Sequence, residues 1–265
     1  MPANYATTFG LEFEVQGLDT YATRHLLEDA GIDWATKYDG SVPNGAEVVS
    51  PVLTASRLNE AVKVTKLLKE NGARVDRKTG FHAHIGARIF PSHGDLAQFV
   101  LNYYSAHSAI ASLVAPSRLN NSYCEILNRR EAEAQAEFTN AGYDGSYDRS
   151  ARGQRARYKS LNLEAMTKHG TIEIRLHQGT LNGVKAVAWA QFIEALALDA
   201  VTNQADYTQA TADAFHDCGE FTPWQGGRVA NLANCHALLN RLVRFNLLNP
   251  ATGDYLAKRA GKFNS

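Results

Sequence analysis

The chain has 265 residues, 45% of them hydrophobic and 20% charged, enough for one large domain or two small ones with a substantial core. Its 27 basic residues balance 27 acidic ones, so bulk charge makes no case for a nucleic-acid or anionic-membrane surface. Cys124, Cys218 and Cys235 are widely spaced and odd in number, which fits a reducing compartment. MPANYATTFG has neither a basic nor an apolar signal segment, and the expectation is a cytoplasmic protein.

A strand over 9–15 leads into a helix over 20–30. Strand-like runs follow at 32–38 and 46–51, separated by the turn-rich YDGSVPNG. SRLNEAVKVTKLLKENG predicts a helix with Ser56 as N-cap, Leu58, Val62, Leu67 and Leu68 near one face, and Gly72 just past the end. A strand through ARVDRKTGFHAHIGARIF comes next. From Pro91 the pattern turns helical, and DLAQFVLNYYSAHSAIASLV is apolar enough to be central to the core. Residues 139–157 lack apolar periodicity and read as a long loop. Strands resume at RYKSLNLEAM and GTIEIRLHQGT. The remainder is helical at 184–202, more weakly at 207–217, and at 228–247. The segment 184–201 carries Lys185, Gln191, Glu194 and Asp199, so it reads as a buried helix and not a membrane span. The mixed order predicts one α+β domain over 1–265, with a helical C-terminal part from about 184. Helices would cover one face of a mostly antiparallel sheet and leave the other free for chemistry.

Side chains alternate along a strand, so residues two apart share a face. In GLEFEV, Glu12 and Glu14 lie opposite Leu11, Phe13 and Val15. In GFHAHIG, His82 and His84 lie opposite Ala83 and Ile85. In TIEIRLHQG, Glu173, Arg175 and His177 lie opposite Ile172, Ile174 and Leu176. A fourth run, GAEVVSP, contributes Glu47. A solvated sheet face would mix Thr, Ser, Lys and Glu. Here the polar faces hold Glu, His and Arg, the ligand set of a divalent metal, and adjacent carboxylates repel unless a cation sits between them.

In this order FGLEFEV, GAEVVSP, GFHAHIG and RYKSLNL with GTIEIRLHQGTLN resemble the amidoligase family, which belongs with glutamine synthetase and glutamate–cysteine ligase among carboxylate–amine ligases. The resemblance spans about residues 7–195 and rests on four motifs agreeing in order and chemistry. It implies a curved, mostly antiparallel sheet with helices on its outer face, holding two or three Mg²⁺ or Mn²⁺ ions at the mouth of an ATP funnel. It further implies that Glu12, His82 and Glu173 share one metal and that Glu14 and Glu47 hold another. Arg175 would meet the transferring phosphoryl group, and His84 would face the nucleotide phosphate or the substrate. Only Glu47 stands where better-known relatives offer more than one acid, which leaves substrate, water or Asp39 to complete the second site. Arg118, Asn121 and Tyr123 in SRLNNSYCEIL resemble a family stretch and are candidates for substrate recognition.

The reaction implied is ATP-dependent amide formation. A carboxylate attacks the γ-phosphate to give an acyl phosphate, and an amine then displaces phosphate; divalent cations suit such a meeting of anions. Arg175 would add a bidentate, permanently charged donor. The chain has no G-x-x-x-x-G-K-[ST], G-x-G-x-x-G or H-E-x-x-H motif, so metals and arginines would have to hold the nucleotide. Arg149, Arg152, Arg155, Arg157 and Lys159 read either as a lid over triphosphate or acidic substrate, or as a solvated loop. Arg157, Lys159 and Asn162 precede the Glu173 strand and are assigned to the nucleotide, Asn162 to a ribose or a substrate carboxylate. His177 is a further substrate candidate through the face it shares with Arg175. Cys124 reads as a small buried hydrophobe more readily than as a nucleophile. A metal-dependent amide or phosphoester hydrolase on the same face, or an inactive binding module, are the alternatives. The partners implied are an acid and an amine, small molecules or peptides, with neither membrane nor nucleic acid among them.

Overall fold

A computed structural model describes residues 6–142, 156–209, 215, 217–226 and 230–264. Along the chain run β1 (Thr8–Gln16), α1 (Thr20–Asp29), β2 (Ala35–Lys37), β3 (Gly45–Val49), β4 (Leu53–Thr54), α2 (Glu60–Glu70), β5 (Gly80–Gly86), α3 (His93–Ser105) and α4 (His107–Ala111). Then come α5 (Arg129–Asn140), β6 (Leu161–Asn162), α6 (Glu164–His169), β7 (Thr171–Gln178), α7 (Gly183–Thr202), α8 (Leu232–Arg244) and α9 (Pro250–Phe263). No described helix is long and apolar enough to cross a membrane.

The strands form one sheet in the order β2-β3-β1-β5-β7-β6, with β4 also on β1, and every pairing is antiparallel. Alternation explains the two faces. Phe9, Leu11, Phe13 and Val15 of β1 are buried, joined by Phe81, Ala83 and Ile85 of β5 and by Ile172 and Ile174 of β7. Trp189, Phe192, Ile193 and Leu196 of α7 belong to the same hydrophobic cluster. Burying a side chain of this size contributes about 1.5–3 kcal/mol before conformational entropy is counted. A Cβ on Gly183 would stand 2.4 Å from the Val62 Cα, so α7 and α2 touch backbone to backbone at a point only glycine permits.

Several elements differ from the sequence expectation, each for a local reason. Ser56 does not cap α2. It lies in a 3₁₀ turn, Ala55–Arg57, with its hydroxyl 3.0 Å from Thr54 Oγ1, and the helix begins after Asn59. The helix expected from Pro91 is broken at Ala106 into α3 and α4. RYKSLNLEAM is a 3₁₀ turn at Ala156–Tyr158, the two-residue β6 and the start of α6, and not one strand. Helix α5 buries only Ala132, Ala136 and Thr139, too small a stripe for periodicity to detect; a capping box between Asn128 and Glu131 starts it. The expected helix over 207–217 falls largely outside the described residues, and α8 begins at Leu232 behind the Asn231 cap.

Candidate active site

The polar face of β1, β5 and β7 is assembled by register. Glu12 stands opposite His82, His84 opposite Glu173, and Glu14 opposite Glu47 of β3. His82 is the hub. Its Nδ1 lies 3.4 Å from Glu12 Oε2 and 3.3 Å from Glu173 Oε1, and its Nε2 lies 3.4 Å from Glu14 Oε1. The Gly80 amide donates to Glu14 Oε2 at 2.6 Å. A Cβ on Gly80 would come within 2.9 Å of His82 Nε2, so glycine at the start of β5 leaves room for the imidazole.

Glu173 is held by neighbours on both sides. Asn162 Nδ2 donates to its Oε2 at 2.6 Å, and Arg175 Nη1 donates to its Oε1. Arg175 Nε in turn donates to the Tyr123 carbonyl at 3.3 Å. His84 Nδ1 lies 2.9 Å from Thr171 Oγ1, which leaves Nε2 turned toward Glu12 Oε1 at 3.4 Å, off line for a hydrogen bond and shut away from solvent.

Electrostatics explain what this cluster lacks. Burial raises the Glu12 carboxyl, but the hydrogen bond with His82, the close approach of His84 and the charge of both imidazoles outweigh it and hold the group well below the usual carboxylate range. For Glu173 burial is likewise outweighed, by Arg175 first and then the two imidazoles. Burial would lower His84, yet Glu12 and Glu173 raise it. Glu47 has no such relief: burial and then the charge of Glu12 push it up to about 8 against the opposing pull of Lys37. Four carboxyl groups thus crowd beside one permanent cation, Arg175, and the raised Glu47 shows that they do not all ionise without further positive charge.

That deficit fits a divalent cation. Donor atoms of Glu12, His84 and Glu173 lie within 4.8 Å of one another, as do those of Glu12, Glu47 and His82. The orphaned His84 Nε2 points into the first trio, and hard oxygens with one imidazole suit Mg²⁺ or Mn²⁺. His82 Nδ1, at 3.4 Å from Glu12 and 3.3 Å from Glu173, also stands with the expected pair, and the β5–β7 register adds His84 opposite Glu173, so both imidazoles adjoin these two carboxylates. Glu12 is common to both trios. Glu14 is outside both, taken up by the Gly80 amide and His82.

Two further residues leave the expected site. His177 faces the core: a bulge between β5 and β7 sets His177 opposite Phe81 while Ile174 stands opposite Ala83, so one extra residue on β7 reverses the alternation after Arg175. Its ring packs 5.4 Å from Phe81 and 5.1 Å from Trp189, and burial drives its pKa well down. Lys159 donates to Glu125 at 3.2 Å and to Glu131 at 3.1 Å, a buried ion pair that ties β6 to the start of α5 and keeps the ammonium out of the cleft. Asn162 reaches Glu173 and so orients a carboxylate. Arg149, Arg152 and Arg155 lie outside the described residues.

Cavities flank the cluster on two sides. One, of about 690 Å³, is lined by Glu14, Asp39, Arg77, Lys78, His82, Arg118, Asn121, Tyr123, Arg157 and Arg175. Arg118 is 2% exposed and is anchored by the Arg175 carbonyl at 2.8 Å and the Leu176 carbonyl at 3.4 Å. Asn121 braces the Tyr123 amide at 2.8 Å, and Asp39 accepts from the Ser41 amide at 2.8 Å, which shapes the loop between β2 and β3. Arg157 lies over the Tyr158 ring at 5.1 Å. The second cavity, about 510 Å³, is lined by Phe9, Gly10, Glu12, Lys37, Val49, Pro51, Val52, His84, Arg88 and His169. Arg77, Lys78, Lys37 and Arg88 carry no motif, and nothing in the sequence singled them out. Cys124 is buried, its thiol donating to the Arg118 carbonyl at 3.4 Å and raised by burial, which suits packing and not attack.

Comparison with curated proteins finds no match. Among solved structures the chain superposes on glutamine synthetase from Plasmodium falciparum with a TM-score of 0.53 at 9% identity, covering 97% of this chain and 72% of that one. A ligand-free GmaS structure gives a TM-score of 0.47 at 15% identity, over 97% of this chain and 68% of that one. The α+β fold, an antiparallel sheet with helices packed against it, is glutamine synthetase-like. A family model described as "Putative amidoligase enzyme" matches residues 23–197, which takes in Glu47, both histidines and the whole of β7. The chain belongs to the amidoligase family.

Proposed function

We propose that the chain is an ATP- and Mg²⁺- or Mn²⁺-dependent carboxylate–amine ligase that forms an amide through an acyl phosphate. One observation carries the reading: four carboxylates and two imidazoles from neighbouring strands converge beside Arg175, with a cavity on each side. In this reading Glu12, Glu47, His82, His84 and Glu173 hold the ions, which would neutralise phosphate oxygens and fix in-line geometry. Arg175 is oriented by Glu173 and the Tyr123 carbonyl, so its guanidinium is fixed before the phosphoryl group arrives. Glu14 and Asn162 are positioning residues, setting His82 and Glu173 respectively.

The acid occupies the 690 Å³ cavity, where Arg77, Lys78, Arg118 and Arg157 outnumber Glu14 and Asp39. The nucleotide occupies the 510 Å³ cavity, whose Phe9, Val49, Pro51 and Val52 offer an apolar wall for a base while Lys37 and Arg88 stand near the phosphates. The three free, buried cysteines fit a cytoplasmic single-domain enzyme.

Calorimetric titration with a non-hydrolysable ATP analogue tests the reading. Binding is expected with Mn²⁺ and lost with chelator, and Glu12→Gln and Glu173→Gln are each expected to abolish it with an unchanged circular dichroism spectrum. Equal binding with and without metal would overturn the metal assignment. Metal binding with no nucleotide binding would favour the hydrolase.

A further inference from the structure

On the helical side of the sheet, away from the cleft, two cations share one aromatic ring. Lys185 Nζ lies 5.7 Å from the centroid of Phe263, and Arg259 Cζ lies 4.9 Å from the same centroid. Lys185 is 9% exposed, although it is a lysine in the first turn of α7. Its amide is taken by the Asn182 cap at 3.1 Å, and the first turn of this 20-residue helix carries no acid. A cation is disfavoured there, because the helix N-terminus is itself the positive end of the macrodipole.

No carboxylate among the described residues pairs with either side chain, and Arg259 Nε is buried without a hydrogen-bond partner. The fully buried His177 ring is influenced by both cations and adds no negative charge. Burial, then Arg259, brings the Lys185 ammonium down to about 8, the direction expected of a cation missing its counter-ion. A snorkelling lysine would explain the stem but not a second cation beside it with an orphaned donor. An oxyanion would meet every one of these demands together: the ammonium, the planar fork of Arg259 and the positive helix end.

We infer that Lys185 and Arg259, beside Phe263 at the N-terminus of α7, form a binding site for a small oxyanion of the phosphate or carboxylate class, separate from the cleft. This does not depend on the ligase reading. Occupancy would tie α9 to α7 directly behind β7, the strand that carries Glu173 and Arg175 on its other face.

The test is thermal unfolding in chelator at fixed ionic strength, titrating inorganic phosphate, then acetate, against chloride. The unaltered protein is expected to gain roughly 2–3 °C at about ten times Kd, saturably, with phosphate or acetate but not chloride. Lys185→Met and Arg259→Met keep the apolar stems and should each weaken phosphate binding about tenfold or more, while Lys185→Arg should retain it. Arg118→Met, in the cleft, should leave the shift in place. No saturable shift, an equal shift with chloride, or loss in Arg118→Met with retention in Arg259→Met would each overturn the inference. Should Lys185→Met fail to fold, Arg259→Met decides the matter alone.

Discussion

Two places where the protein buries charge, the contact between α7 and α8 and the cleft, are built differently. Between α7 and α8, Asp199 accepts from Arg241 Nε at 2.7 Å and Nη2 at 3.1 Å, from Asn203 at 2.7 Å, and from the Tyr207 hydroxyl. That carboxylate is fully enclosed and fully satisfied. In the cleft, by contrast, carboxylates outnumber cations, Glu47 is pushed up to about 8, and His84 Nε2 has no partner. A complete charge network holds helices in place and has nothing left to offer. An incomplete one destabilises the protein alone and is relieved only by something brought in, which is why the second reads as a site.

Removing one partner from the complete network should have the largest effect on the fold. Asp199→Ala strands a buried guanidinium and is expected to cost about 3–5 kcal/mol in denaturant unfolding, with no change in Mn²⁺ affinity per folded molecule. Glu12→Gln should do the reverse, because Glu12 serves both trios: Mn²⁺ affinity falls by roughly 100-fold while stability stays within about 1 kcal/mol. A Glu12→Gln protein that unfolds as readily as Asp199→Ala would erase the distinction.

The comparison is sharpened by pH. Glu47 rises from its ordinary 4.5 to about 8 in the folded protein, so between those values the native state holds a proton that the unfolded state has released. More protons bound in the native state means stability falls as pH rises, by up to about 1.4 kcal/mol per unit across that window. The Glu47-linked slope should be present in chelator, absent in Glu47→Gln, and abolished by Mn²⁺, which would keep the carboxylate ionised. A smaller effect is expected at Lys159, which belongs with the structural charges: Lys159→Met should cost about 1–3 kcal/mol and leave nucleotide affinity unchanged. Weaker nucleotide binding at equal stability would return it to the cleft.

The chemistry of the cleft was legible because it obeys a period of two. Glu12, Glu14, His82, His84, Glu173 and Arg175 each follow from alternation on strands whose apolar residues mark the other face. What escaped the sequence depends on partners far along the chain. Lys159 meets Glu125 and Glu131, 34 and 28 residues away, and Asp199 meets Arg241 across 42. No periodicity connects such positions. Which histidine faces which glutamate was equally hidden, since pairing register between strands about 90 residues apart is fixed by packing and not by either strand alone. The bulge after Arg175 carries no glycine or proline to announce it.

That bulge makes β7 a strand of two halves in its freedom to change. Up to Arg175 the outward positions answer to chemistry, and substitution there alters what the cleft can bind. From Leu176 onward the phase has shifted, so His177 answers to the core, and a replacement must fill its place against Trp189 and Phe81 and make good the lost contact of Nδ1 with the Gln178 carbonyl. Deleting one of the two residues that oppose His82 across the bulge would restore strict alternation yet leave His177 opposite Phe81, so the change would fall on that single level of the cleft while both halves of the strand kept their faces.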